Sequence, residues 1–337
     1  MPRGGTPSEK KCAMTTFNRS TWLRPLGETG VTVSAVCMGG SQLGSRPDLF
    51  GYEVTEEDAV QLVRRVLASP IRTLDTSNSY AEGRSEQRIG RAIREYGGLP
   101  ADFVVSTKVA PKLGDYSGER VRVSVRESME RLGMDRLPLV FLHNPELYPF
   151  EVMTTPGGAV DALVQLRESS IIGHIGIAGG DTRGLIRYLD LGVFEAVLVH
   201  SRWTLVDRSA GPLFDRAVKD GLGVLNAAVY GGGLLASAAG GSATYAYRPA
   251  SLAVRQAAAA MVKVCAEWGT DIATAALRFS LKDQRITSSI AGFTKEATLA
   301  RTLDALDVEL PDPFWQEIEA LTPSPEHWLD ATEPTEA

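Results

Sequence analysis

The chain has few cysteines and no long apolar segment. Cys12, Cys37 and Cys265 are the only cysteines in 337 residues. They are odd in number and far apart, which argues against a disulfide framework and indicates a reducing, cytoplasmic compartment. No apolar run approaches the roughly 20 residues of a membrane span, and the first twenty residues lack the apolar middle of a signal peptide. We therefore expect no membrane partner.

An excess of positive charge is also missing. The formal net charge is -6, and charges of both signs are interspersed along the chain. A protein that binds nucleic acid usually carries a basic stripe that neutralises phosphates. We therefore expect no nucleic-acid partner.

Several sequence motifs that carry chemistry are absent. The chain contains no G-x-G-x-x-G after a predicted strand, no H-E-x-x-H, no C-x-x-C and no G-x-S-x-G. These absences argue against the usual dinucleotide fingerprint, a metal centre and a serine-hydrolase elbow. We expect no metal site.

What the sequence does contain is one repeated unit, a short β-branched run followed by a loop and an amphipathic helix. Eight such units follow one another, with strands in "VSAVCMGG", "IRTLDT", "FVVSTKV", "LPLVFLHNP", "IIGHIGIAGG", "FEAVLVHS", "GVLNAAV" and "ITSSIAGF". Apolar strands that alternate with helices indicate a parallel sheet covered by helices, and the number eight predicts an α/β fold of the (β/α)8 TIM-barrel type in a single domain. A doubly wound sheet is the alternative. We expect a flexible extension at 1–20, the barrel at 21–323 and a tail at 324–337.

Ionisable side chains stand at the ends of three successive predicted strands. Asp75, Lys108 and His143 end the second, third and fourth strands, and Tyr80 follows the second. Each has an ordinary structural explanation when taken alone, as a cap, a solvated end, a satisfied histidine or a loop aromatic. Active sites of such barrels lie where the strands end, so the four together predict a catalytic site.

These four residue types suit proton transfer. A free tyrosine titrates near 10, and an ammonium nearby is expected to lower that pKa, so Lys108 is expected to activate Tyr80. Asp75 would hold Lys108, and His143 would hydrogen-bond a substrate oxygen. Because no side chain carries hydride, a nicotinamide would have to supply or accept it.

The blocks "DTSNSYAEGRSEQRIGRAI", "VVSTKV" and "LVFLHNPE" resemble the signature blocks of the aldo-keto reductases, and the likeness covers roughly Leu23 to Leu310. It implies a barrel that binds NAD(P)H without a Rossmann motif, with Asp75, Tyr80, Lys108 and His143 at the four catalytic positions. Tyr80 would be the general acid in reduction and the general base in oxidation. Other segments resemble the branch of the D-threo-aldose 1-dehydrogenases of L-fucose or galactose type, and the related pyridoxal dehydrogenases.

The cofactor positions depart from the commonest family pattern. Ala178 and Gly179 stand where many members have the Ser-Asn pair that grips the nicotinamide carboxamide, and His200 replaces a glutamine. Gly292 and Thr298 replace a lysine and an arginine that commonly meet the 2′-phosphate of NADP, which leaves NAD against NADP undecided with a slight lean to NAD. The resemblance implies cofactor contacts from Gly39, His200, Gly231, Gly232, Gly233, Leu234, Gly292, Phe293, Thr294, Lys295, Thr298 and Thr302.

The substrate depends on loops, which sequence predicts poorly. Phe50, Tyr52, Arg202 and Trp203 are candidate substrate contacts, and the segment with Tyr245 and Tyr247 is a candidate lid. The interpretation we favour is an NAD(P)-dependent oxidoreductase acting on an aldose or a sugar-derived aldehyde. A reductase of a specialised, pyridoxal-like or biosynthetic carbonyl compound, a nucleotide-binding regulatory subunit without turnover, and a barrel lyase or isomerase remain alternatives, as do a monomer and a dimer.

Overall fold

The computed structural model describes residues 13–14, 22–236 and 243–331. The strands are β1 Ala13–Met14, β2 Leu23–Pro25, β3 Thr32–Ser34, β4 Val36–Gly39, β5 Thr73–Asp75, β6 Val104–Val109, β7 Leu137–His143, β8 Ile172–Gly179, β9 Ala196–His200, β10 Gly223–Ala227, β11 Thr244–Tyr245, β12 Arg248–Pro249, β13 Ser288–Gly292 and β14 Val308–Glu309. The helices are α1 Pro47–Phe50, α2 Glu56–Ala68, α3 Arg84–Tyr96, α4 Gly118–Leu132, α5 Phe150–Thr154, α6 Ala159–Glu168, α7 Thr182–Leu189, α8 Gly211–Lys219, α9 Leu252–Glu267, α10 Ile272–Lys282, α11 Glu296–Asp304 and α12 Asp312–Glu319.

Eight parallel strands close into a barrel in the order β10-β13-β4-β5-β6-β7-β8-β9. The predicted (β/α)8 fold is confirmed, and each predicted strand run contains one barrel strand. Alternate strand residues point inward, where Cys37, Phe141 and Leu198 pack together, while their neighbours pack under the helices. This two-sided burial is the reason the strands are apolar along their whole length.

The bottom of the barrel is closed by a hairpin that the sequence analysis did not predict. Strands β2 and β3 pair in antiparallel fashion, and between them they place Leu26 and Val33, both fully buried, against the barrel interior. A Cβ on Gly223 would collide with the Leu26 side chain. The seventh barrel strand, β10, must therefore begin with glycine so that Leu26 can fill the bottom of the barrel.

Other differences concern connections. The predicted long helical region after Ala253 is two helices, α9 and α10, which are separated where Gly269 adopts a left-handed φ of 71°. A further hairpin, β11–β12, stands between β10 and α9.

Both predicted terminal segments include residues that pack on the barrel domain. Strand β1, within residues 1–20, pairs with β14, and Asp330, within residues 324–337, accepts hydrogen bonds from Thr182 and Arg202. The rest of the N-terminal segment, with Cys12, lies outside the described residues. Within the described ranges no helix is long and apolar enough to span a membrane, and no cluster of metal-binding side chains occurs.

Candidate active site

Strands β5 and β6 bring Asp75 and Lys108 together. The strands pair with Asp75 opposite Ser106, which places Lys108 one inward position further toward the mouth. The Lys108 Nζ donates to Asp75 Oδ2 at 2.5 Å and to the Thr76 carbonyl oxygen at 2.7 Å, and Ser106 Oγ donates to Asp75 Oδ1 at 2.9 Å. Asp75 and Lys108 are buried, so this ion pair is fixed and screened from water.

A short 3-10 turn, Tyr80–Gly83, presents the phenol to that pair. Lys108 Nζ lies 4.8 Å from the centroid of the Tyr80 ring. The turn holds Ala81 and Glu82 at positive φ, 50° and 59°, and Gly83 follows at 89°. Such left-handed residues are costly outside glycine, and they persist only where the surroundings fix them.

His143 completes the group from the end of β7. Its ring is perpendicular to that of Tyr80, with centroids 5.9 Å apart. The Nδ1 atom is 3.3 Å from Ser77 Oγ, and the backbone N–H donates to the Tyr116 hydroxyl at 2.8 Å. Since Nδ1 is engaged, Nε2 is the nitrogen available to a ligand.

Burial controls the protonation of these groups. The enclosed position of Tyr80 raises its pKa above the ordinary value, and the attraction of Lys108 for the phenolate does not outweigh this effect. Lys108 thus lowers the pKa of Tyr80 as expected, but burial raises that pKa by more, so the net shift is upward. Burial also draws the pKa of Lys108 down, but Asp75 and Tyr80 outweigh it and hold that pKa above its usual value.

The same burial, with Lys108 and His200 nearby, holds the pKa of His143 well below its ordinary value. At neutral pH the site therefore contains a protonated phenol and a neutral imidazole. Both are groups that can donate a hydrogen bond to an uncharged oxygen.

A buried polar network fixes the loop before Tyr80. The Asn78 amide donates to Glu127 at 3.1 Å and to the Ser124 carbonyl oxygen at 3.2 Å. Arg131 donates to the Asn78 carbonyl oxygen at 3.2 Å and to the buried Glu86 at 3.1 Å. Helix α4 therefore anchors the loop that carries the phenol.

A cavity of about 380 Å³ opens beside Asp75 at the barrel mouth, and it is bounded by backbone and aromatic rings. Among its lining residues are Phe50 at the end of α1, Tyr52 just after that helix, and Tyr247 from the turn between β11 and β12. The Tyr247 ring is 6.3 Å from that of Phe50 and 6.5 Å from that of His200. Tyr245 anchors this turn by donating to the Ser201 carbonyl oxygen at 2.5 Å.

Two further cavities continue the first one along the mouth. One of about 980 Å³ shares Tyr52 and Gly292 with it, and one of about 80 Å³ shares Tyr230, Ala236 and Gly292. A Cβ on Gly292 would come within 2.9 Å of the terminal amide of Gln42, so this flexible side chain would have to move to admit a larger residue. The continuous groove, with its glycine backbone, fits an extended dinucleotide such as NAD(P).

The structure brings most of the predicted cofactor residues to this groove. The central cavity is lined by Gly39, His200, Gly232, Gly233 and Gly292, the large one by Phe293, Thr294, Lys295 and Thr298, and the small one by Thr298 and Thr302. Gly231 and Leu234 line none of the three, and both are buried. Helix α11 begins at Glu296, so Thr294 and Lys295 precede its first turn.

Two predicted substrate residues do not reach the cavity. Trp203 stacks on Phe279 with centroids 5.8 Å apart, at the side of the barrel. Arg202 is buried, and its Nε donates to Asp330 Oδ1 at 3.0 Å. Arg202 therefore pairs with an acid.

Sequence reasoning missed three polar residues at the mouth. They are Gln42, whose Oε1 has no partner, Asp330, which binds Arg202, and Glu146, which accepts from the Gly180 N–H at 2.6 Å. The only sequence feature that pointed to Glu146 was its position in the block "HNPE", three residues after His143. Nothing local points to Asp330, because its partner is 128 residues away.

Comparisons with known proteins agree with this geometry. The model described as "Aldo/keto reductase family" matches residues 35–323. The chain is 30% identical to L-galactose dehydrogenase of Arabidopsis thaliana, over 89% of this chain and 93% of that protein. It is 26% identical to D-threo-aldose 1-dehydrogenase of a Pseudomonas species, over 86% and 94%. An aldo-keto reductase from Bacillus halodurans, solved in its holo form, superposes with a TM-score of 0.71 at 20% identity over 89% of this chain and 96% of that one.

Proposed function

Because the chain belongs to the aldo/keto reductase family, we propose that it is an aldose dehydrogenase that oxidises a sugar at its anomeric carbon with NAD as the preferred cofactor. The family makes the chain an NAD(P)-dependent oxidoreductase that interconverts a carbonyl and an alcohol. The observation that carries the proposal is the convergence of Tyr80, Lys108 and His143 around Asp75, which lines the central cavity.

The proposed mechanism assigns the proton to Tyr80. When a carbonyl is reduced, the protonated phenol donates to the substrate oxygen, and His143 Nε2 donates a second hydrogen bond to it. The charged Lys108, held by Asp75, stabilises the phenolate that forms. In oxidation Tyr80 first releases its proton to solvent, and the phenolate, stabilised by Lys108, then accepts the hydroxyl proton of the substrate. The nicotinamide, when bound, supplies or accepts the hydride.

The sugar substrate is supported by the relatives and by the cavity. Two of the relatives are named for sugars, galactose and D-threo-aldoses. The cavity combines the rings of Phe50, Tyr52 and Tyr247 with the polar groups of Gln42 and His200. A sugar ring has apolar C–H faces and a polar edge, and this mixed lining can contact both.

The preference for NAD is supported by the charges in the largest cavity. Its lining includes three carboxylates, Glu53, Asp58 and Glu296, against two cations, Arg65 and Lys295. Arg65 Nε lies 3.4 Å from Glu296 Oε1, so part of its charge is already compensated. A 2′-phosphate, with about two negative charges, would therefore meet a lining with more negative than positive charge.

The function is tested with Tyr80→Phe. We expect the purified protein to reduce NAD in the presence of aldoses, and the variant to lose at least about 1,000-fold in kcat because its proton donor is gone. Cofactor affinity should change by less than about threefold, since that hydroxyl is not part of the dinucleotide groove. Tyr96→Phe, at an exposed position of α3, is the control and should behave as wild type.

Three results would count against the proposal. Turnover that survives in Tyr80→Phe would remove the proton-transfer role. Turnover limited to aldehydes unrelated to sugars would replace the substrate. Tight nucleotide binding without any turnover would favour a regulatory subunit.

The cofactor preference is tested with Thr298→Arg. A guanidinium at this position of the large cavity supplies the missing charge, so we expect the affinity for NADPH to rise about tenfold while that for NADH stays nearly constant. Ala297→Arg adds the same charge at the neighbouring exposed residue and should have a smaller effect. The proposed preference would be contradicted by a wild-type protein that binds NADPH more tightly than NADH in a titration.

A further inference from the structure

The hairpin β11–β12 has a turn whose residues do not suit its backbone. The two central residues, Ala246 and Tyr247, have positive φ angles of 49° and 64°. A two-residue hairpin turn of this kind favours Asn-Gly or Gly-Gly, because most residues with a side chain are strained at positive φ. Tyrosine is therefore an unfavourable residue for the turn itself, which indicates that its side chain serves another purpose.

The hairpin is fixed to the barrel mouth next to this turn. Tyr245 is buried, and its hydroxyl donates to the Ser201 carbonyl oxygen at 2.5 Å. The Ala246 N–H donates to the Gly231 carbonyl oxygen at 3.3 Å. A Cβ on Gly231 would lie 2.6 Å from the Tyr245 ring, so glycine at this position leaves room for that ring. Contacts with the loops after β9 and β10 thus set the position of the Tyr247 side chain.

Tyr247 meets Phe50, which belongs to a different connection of the barrel. The two rings are in edge-to-face contact, with centroids 6.3 Å apart and planes at 75°. Both rings line the central cavity. Phe50 and Tyr247 therefore form one aromatic wall of that cavity, which joins the segment after β4 to the hairpin after β10.

This aromatic wall stands at the outer end of the cavity. Among the lining residues Asp75 is 3% exposed and Tyr247 is 44% exposed, so the carboxylate marks the inner end and the ring the outer end. The Tyr247 phenol also interacts electrostatically with Tyr80 and Lys108. The aromatic wall thus lies between the catalytic pair and solvent.

We propose that Tyr247, together with Phe50, limits the substrate to a single sugar unit. The inference rests on the proposed function, because oxidation at the anomeric carbon places that carbon beside Tyr80 and directs the rest of the sugar toward the aromatic wall. The cavity of about 380 Å³ lies near the lower end of the roughly 300–1,000 Å³ of ligand pockets, and the nicotinamide takes part of it. A second sugar attached to the far side of the first would collide with the two rings, so specificity comes from a steric clash.

The test measures kcat/KM for two probes with the wild type and with Tyr247→Gly. The first probe is the aldose that the wild type oxidises fastest. The second is a reducing disaccharide that carries a further hexose on that aldose and keeps its anomeric carbon free. We expect the wild type to favour the monosaccharide at least about 100-fold, and Tyr247→Gly to reduce this ratio to about tenfold or less. Glycine suits the positive φ at this position, so the variant should fold.

Two control variants separate the ring of Tyr247 from other effects. Tyr247→Phe keeps the ring and loses only the hydroxyl, so it should retain the ratio of the wild type. Tyr96→Ala removes a ring of similar exposure, 41%, from helix α3 and should also retain it. If Tyr247→Gly does not fold, Phe50→Ala, which removes the other ring of the aromatic wall, should lower the ratio in the same way.

The inference is overturned if the wild type oxidises both probes with similar kcat/KM. It is also overturned if Tyr247→Gly, with its fold verified by thermal unfolding, keeps the full ratio. The proposed function survives either result, because the wild type oxidises the aldose in both. A wild type that oxidises no aldose overturns the proposed function and the inference together.

Discussion

Individual side chains at the mouth owe their protonation to burial. Lys108 lies over the Tyr80 ring, yet the pKa of the phenol rises. The free energy lost when a phenolate is removed from water exceeds the free energy gained from its attraction to the ammonium. His143 and His200 are kept neutral by the same effect. Sequence identifies which groups are present, but the balance between desolvation and attraction depends on the three-dimensional enclosure.

The depressed pKa of His200 predicts a loss of stability in acid. In the unfolded chain this imidazole titrates near its ordinary value of about 6.5, and in the fold its pKa is about 4. The stability contributed by the neutral ring is therefore present above pH 6.5 and is lost as the pH falls toward 4. We expect His200→Gln to remove on the order of 1 kcal/mol of the decrease in unfolding free energy between pH 7.5 and pH 5.

Urea titrations at the two pH values measure this effect. His327→Gln, at an exposed position, is the matched control and should show the same pH dependence as wild type. If His200→Gln and wild type lose equal stability on acidification, the pKa of His200 is the same in the folded and the unfolded chain, and the predicted depression of that pKa is contradicted.

At the scale of elements, the loop that carries Tyr80 depends on helix α4. Its left-handed residues are held because Arg131 and the Asn78 side chain tie the loop to α4. The sequence predicted the adjacent strand, the helix α3 and the four candidate residues, since periodicity and strand-end position are local signals. It did not predict the hydrogen bond between Arg131 and the Asn78 carbonyl oxygen, since these residues are 53 positions apart in the sequence.

The pair of Arg131 and Glu86 supports a prediction on this element. Arg131→Met would leave the fully buried Glu86 carboxylate without its cation, and we expect unfolding free energy to fall by about 3 kcal/mol. The kcat should fall as well, since the loop that bears Tyr80 loses a hydrogen bond. Chemical denaturation and steady-state kinetics measure both.

The double variant Glu86→Gln/Arg131→Met removes both charges and should recover part of the lost stability, as expected for coupled neighbours. Arg91→Met, at a more exposed cluster with Glu56, Glu57 and Glu95, is the control and should cost clearly less stability than Arg131→Met. Equal losses of unfolding free energy for Arg131→Met and Arg91→Met would show that the buried pair of Arg131 and Glu86 contributes no more to stability than the exposed cluster does.

At the scale of the whole molecule, the barrel is sealed at one end and open at the other. The β2–β3 hairpin fills the bottom with Leu26, while loops after the strands form the groove at the top. Leu26→Ala should leave a cavity at the bottom of the barrel. The surrounding strands form a closed, hydrogen-bonded barrel and cannot move inward to fill that cavity. We expect a loss of about 3 kcal/mol in unfolding free energy.

Equilibrium unfolding in urea measures this loss. Leu23→Ala, in the same hairpin but 42% exposed, should cost less than about 1 kcal/mol. A comparable loss for both would mean that the hairpin contributes through its backbone pairing and not through the plug.

The sequence by itself determined the eight strand–helix units and the positions of Asp75, Tyr80, Lys108 and His143 at the ends of strands. These features depend on periodicity and on the polar end of an apolar run, which are local properties of the chain. Only the tertiary structure decided the direction of the Tyr80 pKa, the pairing of Arg202 with Asp330 and the hydrogen bond of Glu146 with the Gly180 N–H. Each of these depends on burial or on contacts between residues that are distant in sequence. No local sequence pattern shows which of those residues meet when the barrel closes.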